Sequence, residues 1–265
     1  MAKCSTQNSI TTPTKMPRVL LAFAVVACIA IGTQGLTKTC LSTSTAKTSP
    51  SSNSDVFSAC QVYQNNSCCS ATFTQQLSSP VKGVGNFSWL QCGQAKLSSK
   101  CERFQVAVEC FYRCSPNVAF WQNPTYKAGF LGAPLCSNFC DDWFDACKDD
   151  LTCAEDWLTG FNYTSSGENT CKTPCKKFSE YYKNGTGLCT KQWGDSFKYS
   201  QKSGECLNLN FNGANPNNAV VEKLFGGAGK STAKPMPVSP TSSASQIMCG
   251  VGAIAAAFTG LFVFL

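Results

Sequence analysis

The chain has 265 residues, 19 cysteines, no histidine and a formal net charge of +7. Without imidazole there is no histidine general base, no Ser-His-Asp triad and no histidine-ligated metal site. The basic excess sits at the ends: residues 38–223 hold 17 Lys and Arg against 15 Asp and Glu, a net of +2, which excludes a nucleic-acid footprint and a polybasic membrane patch.

Residues 1–35 read as a secretory signal peptide: Lys15 and Arg18 precede the apolar run 19–31 and the short stretch Gly32, Thr33, Gln34, Gly35, with cleavage expected near Gly35. The run is shorter than the about 20 apolar residues of a membrane span. Residues 36–55 follow as a flexible lead-in, Ser/Thr-rich and without aromatics over 42–54, held only by Cys40. The ordered domain is expected over 56–225. Cys60, Cys68 and Cys69 punctuate its start, and Gly83, Gly85 and Asn86 mark a turn before Phe87, Trp89 and Cys92. A helix is predicted from an N-cap at Ser98 through Cys110 and Cys114, stopped by Ser115 and Pro116. Phe104, Val108 and Tyr112 recur at four-residue spacing on a face other than that of Cys110 and Cys114, because a two-residue offset rotates by about 200°. If the cysteines hold this helix to the scaffold, the stripe is free to line a cavity; otherwise it is more core.

A loop carrying Trp121, Pro124, Tyr126 and Gly129 leads into 134–153, PLCSNFCDDWFDACKDDLTC. Helical spacing puts Cys136, Cys140 and Cys147 on one face beside Trp143 and Phe144, a pillar stapled along one side. Asp141, Asp142, Asp145, Asp149 and Asp150 interrupt the apolar positions and are expected to face water, a partner, or the lysines Lys172, Lys176 and Lys177. Trp157, Phe161 and Tyr163 come next, then an SSGEN turn, a short helix about 174–182, an NGTG turn, and the run 192–199, read as a strand or turn with an exposed Trp193. The domain is expected to close at Cys206, with a last helical turn over 220–225. Residues 226–246 form a small-residue, Pro-rich spacer and 247–265 an uncharged apolar tail with no Lys or Arg behind it, together the layout of a GPI-attachment signal.

Setting aside Cys4, Cys28 and Cys249 in the two end segments leaves 16 cysteines between Cys40 and Cys206. An even count at that density in an exported chain reads as a disulfide framework. Zinc is the weaker reading, since only Cys171 with Cys175 and Cys110 with Cys114 have even loosely ligand-like spacing; no metal is expected. The sequons at Asn65, Asn86, Asn162 and Asn184 agree with export and glycosylation. No enzyme is expected: there is no G-x-S-x-G and no phosphate loop, and Asp141/Asp142 and Asp149/Asp150 sit at adjacent helix positions that point apart. What remains is a set of aromatics outside any long core pattern, namely Trp89, Tyr112, Trp121, Tyr126, Trp157, Phe161 and Trp193. Flat faces with polar edges suit a planar heterocyclic ligand.

The segments NNSCCSATFTQQL, CFYRCSP, APLCSNFCDDWFDACKDD, SGENTCK and KQWGDSFK resemble the folate receptor and riboflavin-binding protein family, more closely its riboflavin-binding branch, over 40–206 with all 16 cysteines in order. The resemblance implies a disulfide-rich α+β single domain of the folate-receptor-like type, with helices and short strands around a ligand cleft. It implies the pairs Cys40–Cys68, Cys60–Cys110, Cys69–Cys114, Cys92–Cys175, Cys101–Cys147, Cys136–Cys206, Cys140–Cys189 and Cys153–Cys171, one choice among about two million. It also implies that the isoalloxazine ring of a flavin is held between the tyrosine of CFYRC, here Tyr112, and the tryptophan of the WGDSF segment, here Trp193. Trp89, Trp121, Tyr126, Trp157 and Phe161 are secondary candidates for the wall. Where folate receptors place a pterin-binding aspartate this chain has Val108, and where they place a His-Lys pair it has Leu158 and Thr159; both departures disfavour folate, because buried pterin donors would go unpaired.

The function expected is therefore a cell-surface vitamin-binding signalling receptor, GPI-anchored on the extracellular face of the plasma membrane, capturing riboflavin as ligand and needing no cofactor or nucleic acid. The rivals are a folate or pterin receptor and a recognition protein on the same fold that binds no vitamin. With no histidine to titrate near pH 6, acid release of a bound flavin is expected to depend on carboxylates and to have its midpoint at about pH 4 to 5. Flavin fluorescence recovery in a pH titration measures it, and a midpoint above about pH 6 contradicts it.

Overall fold

The computed structural model describes residues 39–43 and 46–226. The signal-peptide reading of 1–35 and, from 227 onward, the spacer and apolar tail lie outside the described residues. In chain order the elements are a 3-10 turn Gln61–Tyr63, α1 (Ala71–Gln75), the hairpin β1 (Gly83–Val84) and β2 (Phe87–Ser88), α2 (Ser99–Cys114), and a 3-10 turn Val118–Trp121. Then come β3 (Ala133–Cys136), α3 (Ser137–Cys147), β4 (Leu151–Thr152), β5 (Phe161–Tyr163), β6 (Asn169–Cys171) and β7 (Lys176–Lys177). The chain continues with α4 (Phe178–Tyr182), α5 (Gly185–Lys191), a 3-10 turn Gly194–Ser196, β8 (Phe197–Ser200) and α6 (Asn217–Phe225).

Among the described residues the strands form two-stranded sheets only: β1 with β2, β4 with β7 and β5 with β6 antiparallel, and β3 with β8 parallel, Ala133 opposite Phe197. Two strands alone are marginal in water, so the architecture rests on helices and cross-links. All eight disulfides have the pairing that the resemblance implies. Among the described residues no helix is long and apolar enough to cross a membrane.

The pillar is α3. Cys136 occupies its N-cap and bridges to Cys206, Cys140 bridges to Cys189 on α5, and Cys147 bridges to Cys101 on α2. Between these anchors Trp143 is fully buried. The opposite face is solvated: exposed Asp145 and Asp149 pair with Lys148 and Lys177 at 3.1 and 2.9 Å, surface contacts that add little stability. Asp150 has a different task. One of its carboxylate oxygens accepts both the N–H and the O–H of Ser98 at 2.8 Å, while its backbone carbonyl accepts the N–H of Phe178 at 2.9 Å. Ser98 in turn accepts from the N–H of Cys101 and caps α2.

Several expectations need correction. The lead-in is packed where it is described: Leu41 is a core residue at 2% exposure, Lys47 N–H donates to Cys68 C=O at 2.8 Å, and Ser51 pairs with Ser67. A Ser/Thr-rich composition predicted mobility, but Leu41 and the Cys40–Cys68 bridge supply the anchoring that composition does not register. NGTG opens a helix instead of making a turn. Asn184 Oδ1 accepts the N–H of Gly187 at 2.8 Å as an N-cap, and a Cβ on Gly185 would come within 2.7 Å of the Asp141 backbone, so the glycine permits α5 to lie against α3. The domain also does not close at Cys206, because α6 follows and its Phe225 packs on Phe120 and Trp121 at 5.2 and 5.3 Å. Finally, the first two members of the α2 stripe are core: Phe104 and Val108 are 6% and 3% exposed, Phe104 meeting Phe139 edge-on at 5.3 Å. Only Tyr112, in the last turn, reaches the surface.

Truncating Trp143 to alanine removes a buried indole from between three cross-links, and a denaturant titration with the disulfides intact is expected to show a loss of about 3–5 kcal/mol.

Candidate ligand-binding site

The two principal ring candidates stand at the borders of two aromatic clusters. Tyr112 is partly exposed; its O–H donates to the carbonyl of Ala128 at 2.9 Å, its ring lies 5.9 Å from Phe130, and the Arg113 guanidinium sits 4.7 Å from its centroid. Phe130 packs on Phe111 and Phe197 at 5.8 and 5.0 Å. Trp193 follows α5 and Gln192; its partly exposed ring is edge-on to Trp157 at 5.5 Å and tilted against Phe87 at 6.4 Å. Its indole N–H is shut off from solvent and has no protein acceptor, as is also the case for Trp89 and Trp143.

These clusters are joined through the chain itself. Phe197 lies four residues after Trp193 and belongs to the Tyr112 side through Phe130 and Phe111, while β8, which it starts, is registered on β3 directly after the Phe130 loop. A backbone bond from Gly132 N–H to Asp195 C=O at 2.8 Å closes the junction. An open depression of about 440 Å³ lies there, lined by Leu131, Gly132, Thr190, Asp195, Phe197 and Lys198, within the size range of small-molecule sites. Tyr112 and Trp193 are not among its lining residues.

The secondary candidates separate by burial. Trp89, Trp157, Phe161 and Val108 are exposed by only 1–3%. They back the wall and offer it no free face. Trp157 donates its indole N–H to Thr152 Oγ at 3.1 Å and meets Phe161, Phe178 and Phe87 by ring contacts. Trp121 is half-buried against Phe225, and Tyr126, 42% exposed, belongs with it to the loop whose Ala128 receives Tyr112. Phe87, noted from the sequence only as following a turn, and Phe130 were not counted among the candidate site residues, yet they pack against Trp193 and Tyr112 respectively. Phe87 could have been found from the Gly85-Asn86 turn before it, which makes β2 a hairpin strand with Phe87 on its inner face.

Electrostatics around Tyr112 are set by burial. Desolvation, opposed by the Arg113 cation and reinforced by Tyr126 and Glu109, pushes the Tyr112 hydroxyl up to about 12. Glu109 lies 4.0 Å from Arg113 Nε, both nearly buried, and desolvation raises its carboxyl above the ordinary range despite that cation. At the other end Asp156 is occupied, accepting from the Leu158 N–H and the Thr159 O–H at 2.8 and 2.7 Å. A metal is not supported by the one sulfur cluster among the described residues: Cys153, Cys171 and Cys175 are all in disulfides, and bridged sulfur is not the thiolate that binds metal.

Because the folded state raises the Tyr112 hydroxyl above its unfolded value near 10, it favours the neutral phenol. The corresponding stability is complete below about pH 10 and is lost as pH rises toward about 12. Denaturant titrations across that interval are expected to show the loss, and Tyr112→Phe to show a smaller one, with about 0.5–1.5 kcal/mol less stability at neutral pH from the missing bond to Ala128.

The Folate receptor family matches residues 39–208. The chain is 49% identical to the riboflavin-binding protein of Gallus gallus over 172 residues, 64% of this chain and 71% of that protein. It is 46% identical to the riboflavin-binding protein of Dromaius novaehollandiae over 193 residues, 72% of this chain and 80% of that one. Folate receptor gamma of Homo sapiens is 34% identical over 198 residues, 71% of this chain and 80% of the receptor. With its cysteine order, its eight bridges and its mixed helix and strand content, the chain belongs to the folate receptor family.

Proposed function

We propose that this protein captures riboflavin or a related flavin, stacking the isoalloxazine ring between Tyr112 and Trp193. The observation that carries the reading is the contrast in burial among the aromatics. Tyr112 and Trp193 keep ring surface at the border of the core, while Trp89, Trp157 and Phe161 are almost fully buried and have no ring surface to offer. Higher identity to riboflavin-binding proteins than to folate receptor gamma supports a flavin over a pterin. Val108 supports it again, because no carboxylate stands there to meet a pterin's amino group.

The protein acts at the extracellular face of the plasma membrane, held by a GPI anchor and serving uptake as a receptor. The signal-like segments at 1–35 and 226–265 support that location, as do sixteen cysteines joined in bridges that need an oxidising compartment. Asn65, Asn86, Asn162 and Asn184 are all exposed and carry the glycans. Tyr112 and Trp193 need no cofactor, metal or nucleic acid for this role.

Titrating riboflavin and folate separately against the ectodomain, with flavin and tryptophan quenching as readouts, tests the proposal. Riboflavin is expected to quench and folate not. Trp193→Ala and Tyr112→Ala each remove a stack and its burial, about 2–4 kcal/mol or roughly 30- to 1000-fold in Kd. Folate binding without riboflavin binding would reverse the assignment, and binding of neither would leave a recognition protein built on this fold.

A further inference from the structure

The two ring-bearing elements are tied together by a buried polar contact in which neither ring takes part. Gln105 lies on α2, seven residues or about two turns before Tyr112. Gln192 caps the end of α5 and is covalently next to Trp193. Both side chains are fully buried. Gln105 Nε2 donates to Gln192 Oε1 at 3.2 Å, and Gln192 Nε2 donates to Gln105 Oε1 at 3.0 Å. The pair is reciprocal: each amide is donor and acceptor to the same partner.

The backbone of Gln192 is held as well. Its N–H donates to Leu188 C=O at 3.1 Å and its C=O accepts the N–H of Trp157 at 2.7 Å. Immediately beyond it the chain leaves helical geometry, with Trp193 at φ −115° and Gly194 at φ +53°. An apolar contact at the position of this pair would tolerate sliding of one element past the other. A two-bond amide pair would not, because displacement breaks both bonds together and leaves two fully buried amides unsatisfied. No ionisable group is needed for it, so it holds at any pH at which the domain is folded.

We propose that Gln105 and Gln192 are positioning residues whose reciprocal amide pair sets the spacing and tilt of Tyr112 relative to Trp193 and thereby the affinity for the flavin. The proposal rests on the flavin reading above. It assigns a role in binding to two residues that do not touch the ligand, and it makes a prediction that a general loss of packing does not.

Gln192→Glu is nearly isosteric. Protonated, its carboxyl donates its O–H to Gln105 Oε1 and accepts from Gln105 Nε2, so both bonds survive. Ionised, it sets an acceptor against an acceptor and buries a charge. Burial raises such a carboxyl, in documented cases to about 8–9, so the change falls in a range where the wild-type amides do not titrate. With its carboxyl at about 8 to 8.5, riboflavin Kd for Gln192→Glu is expected to be about two- to fourfold tighter at about pH 6 than at about pH 8.5, with a flat wild-type ratio over the same interval. A second variant, Gln105→Leu/Gln192→Leu, removes the pair without orphaning an amide; it is expected to keep its near-UV circular dichroism and to bind about tenfold more weakly.

Wild-type protein that does not quench flavin would remove the reading on which this rests, before any variant is considered. Wild-type binding together with a flat pH ratio in folded Gln192→Glu, or with unchanged affinity in the folded double-leucine variant, would overturn the positioning role alone. If Gln192→Glu is unfolded at about pH 8.5, the double-leucine variant decides in either direction.

Discussion

The structure depends on covalent restraint of one helix. α3 is eleven residues long and neither very apolar nor well capped, since Cys136 at its N-cap makes no side-chain capping bond. By itself such a segment would be marginal. Bridges from Cys136, Cys140 and Cys147 fix it to the segment after β8, to α5 and to α2. Each closes a loop of tens of residues, 70, 49 and 46 in sequence separation, and each contributes typically about 2–4 kcal/mol by limiting the unfolded chain. A domain whose sheets are all two-stranded has few other sources of rigidity.

That restraint is what allows aromatic side chains to stand at the border of the core instead of being drawn fully into it. Tyr112 is at the end of α2, tied by Cys110 and Cys114 as well as by Cys101. Trp193 follows α5, tied by Cys189. Fully buried rings, among them Trp157 and Phe178, fill the space behind Trp193. Exposure of an aromatic face is unfavourable in water, and a backbone held at both ends resists the collapse that would relieve it. A preorganised site loses less on binding than one that must order first.

Much of this could be read from the chain. Helical spacing of Cys140 and Cys147 identified the pillar, although Cys136, counted on the same face from its spacing, ends β3 in extended conformation and precedes the helix; Ser98 identified the start of α2, and the resemblance supplied every bridge. What stayed hidden involved contacts between distant segments. Leu41 looks like one apolar residue in a polar stretch until Cys40 brings it onto the core. Asn-Gly-Thr-Gly has the composition of a turn, and only the close approach of Asp141 to Gly185 shows why a glycine-rich segment runs as a helix. In the stripe of α2, periodicity marks Phe104, Val108 and Tyr112 as one face but cannot say where along that face the core ends. Phe139, 35 positions after Phe104, determines that. Gln105 and Gln192 carry no pattern at all, being 87 residues apart and individually unremarkable.

The contact of Phe225 with Phe120 and Trp121 brings the last described helix onto the loop that receives the Tyr112 hydroxyl through Ala128. Among the described residues no disulfide joins α6 to the rest, the last bridged cysteine there being Cys206. Ring packing there acts together with the Asn117–Asn218 and Asn208–Asn217 hydrogen bonds and the Lys223–Glu205 ion pair, so the seating of α6 on the 121–131 segment is set by contacts that can be undone without breaking a covalent bond.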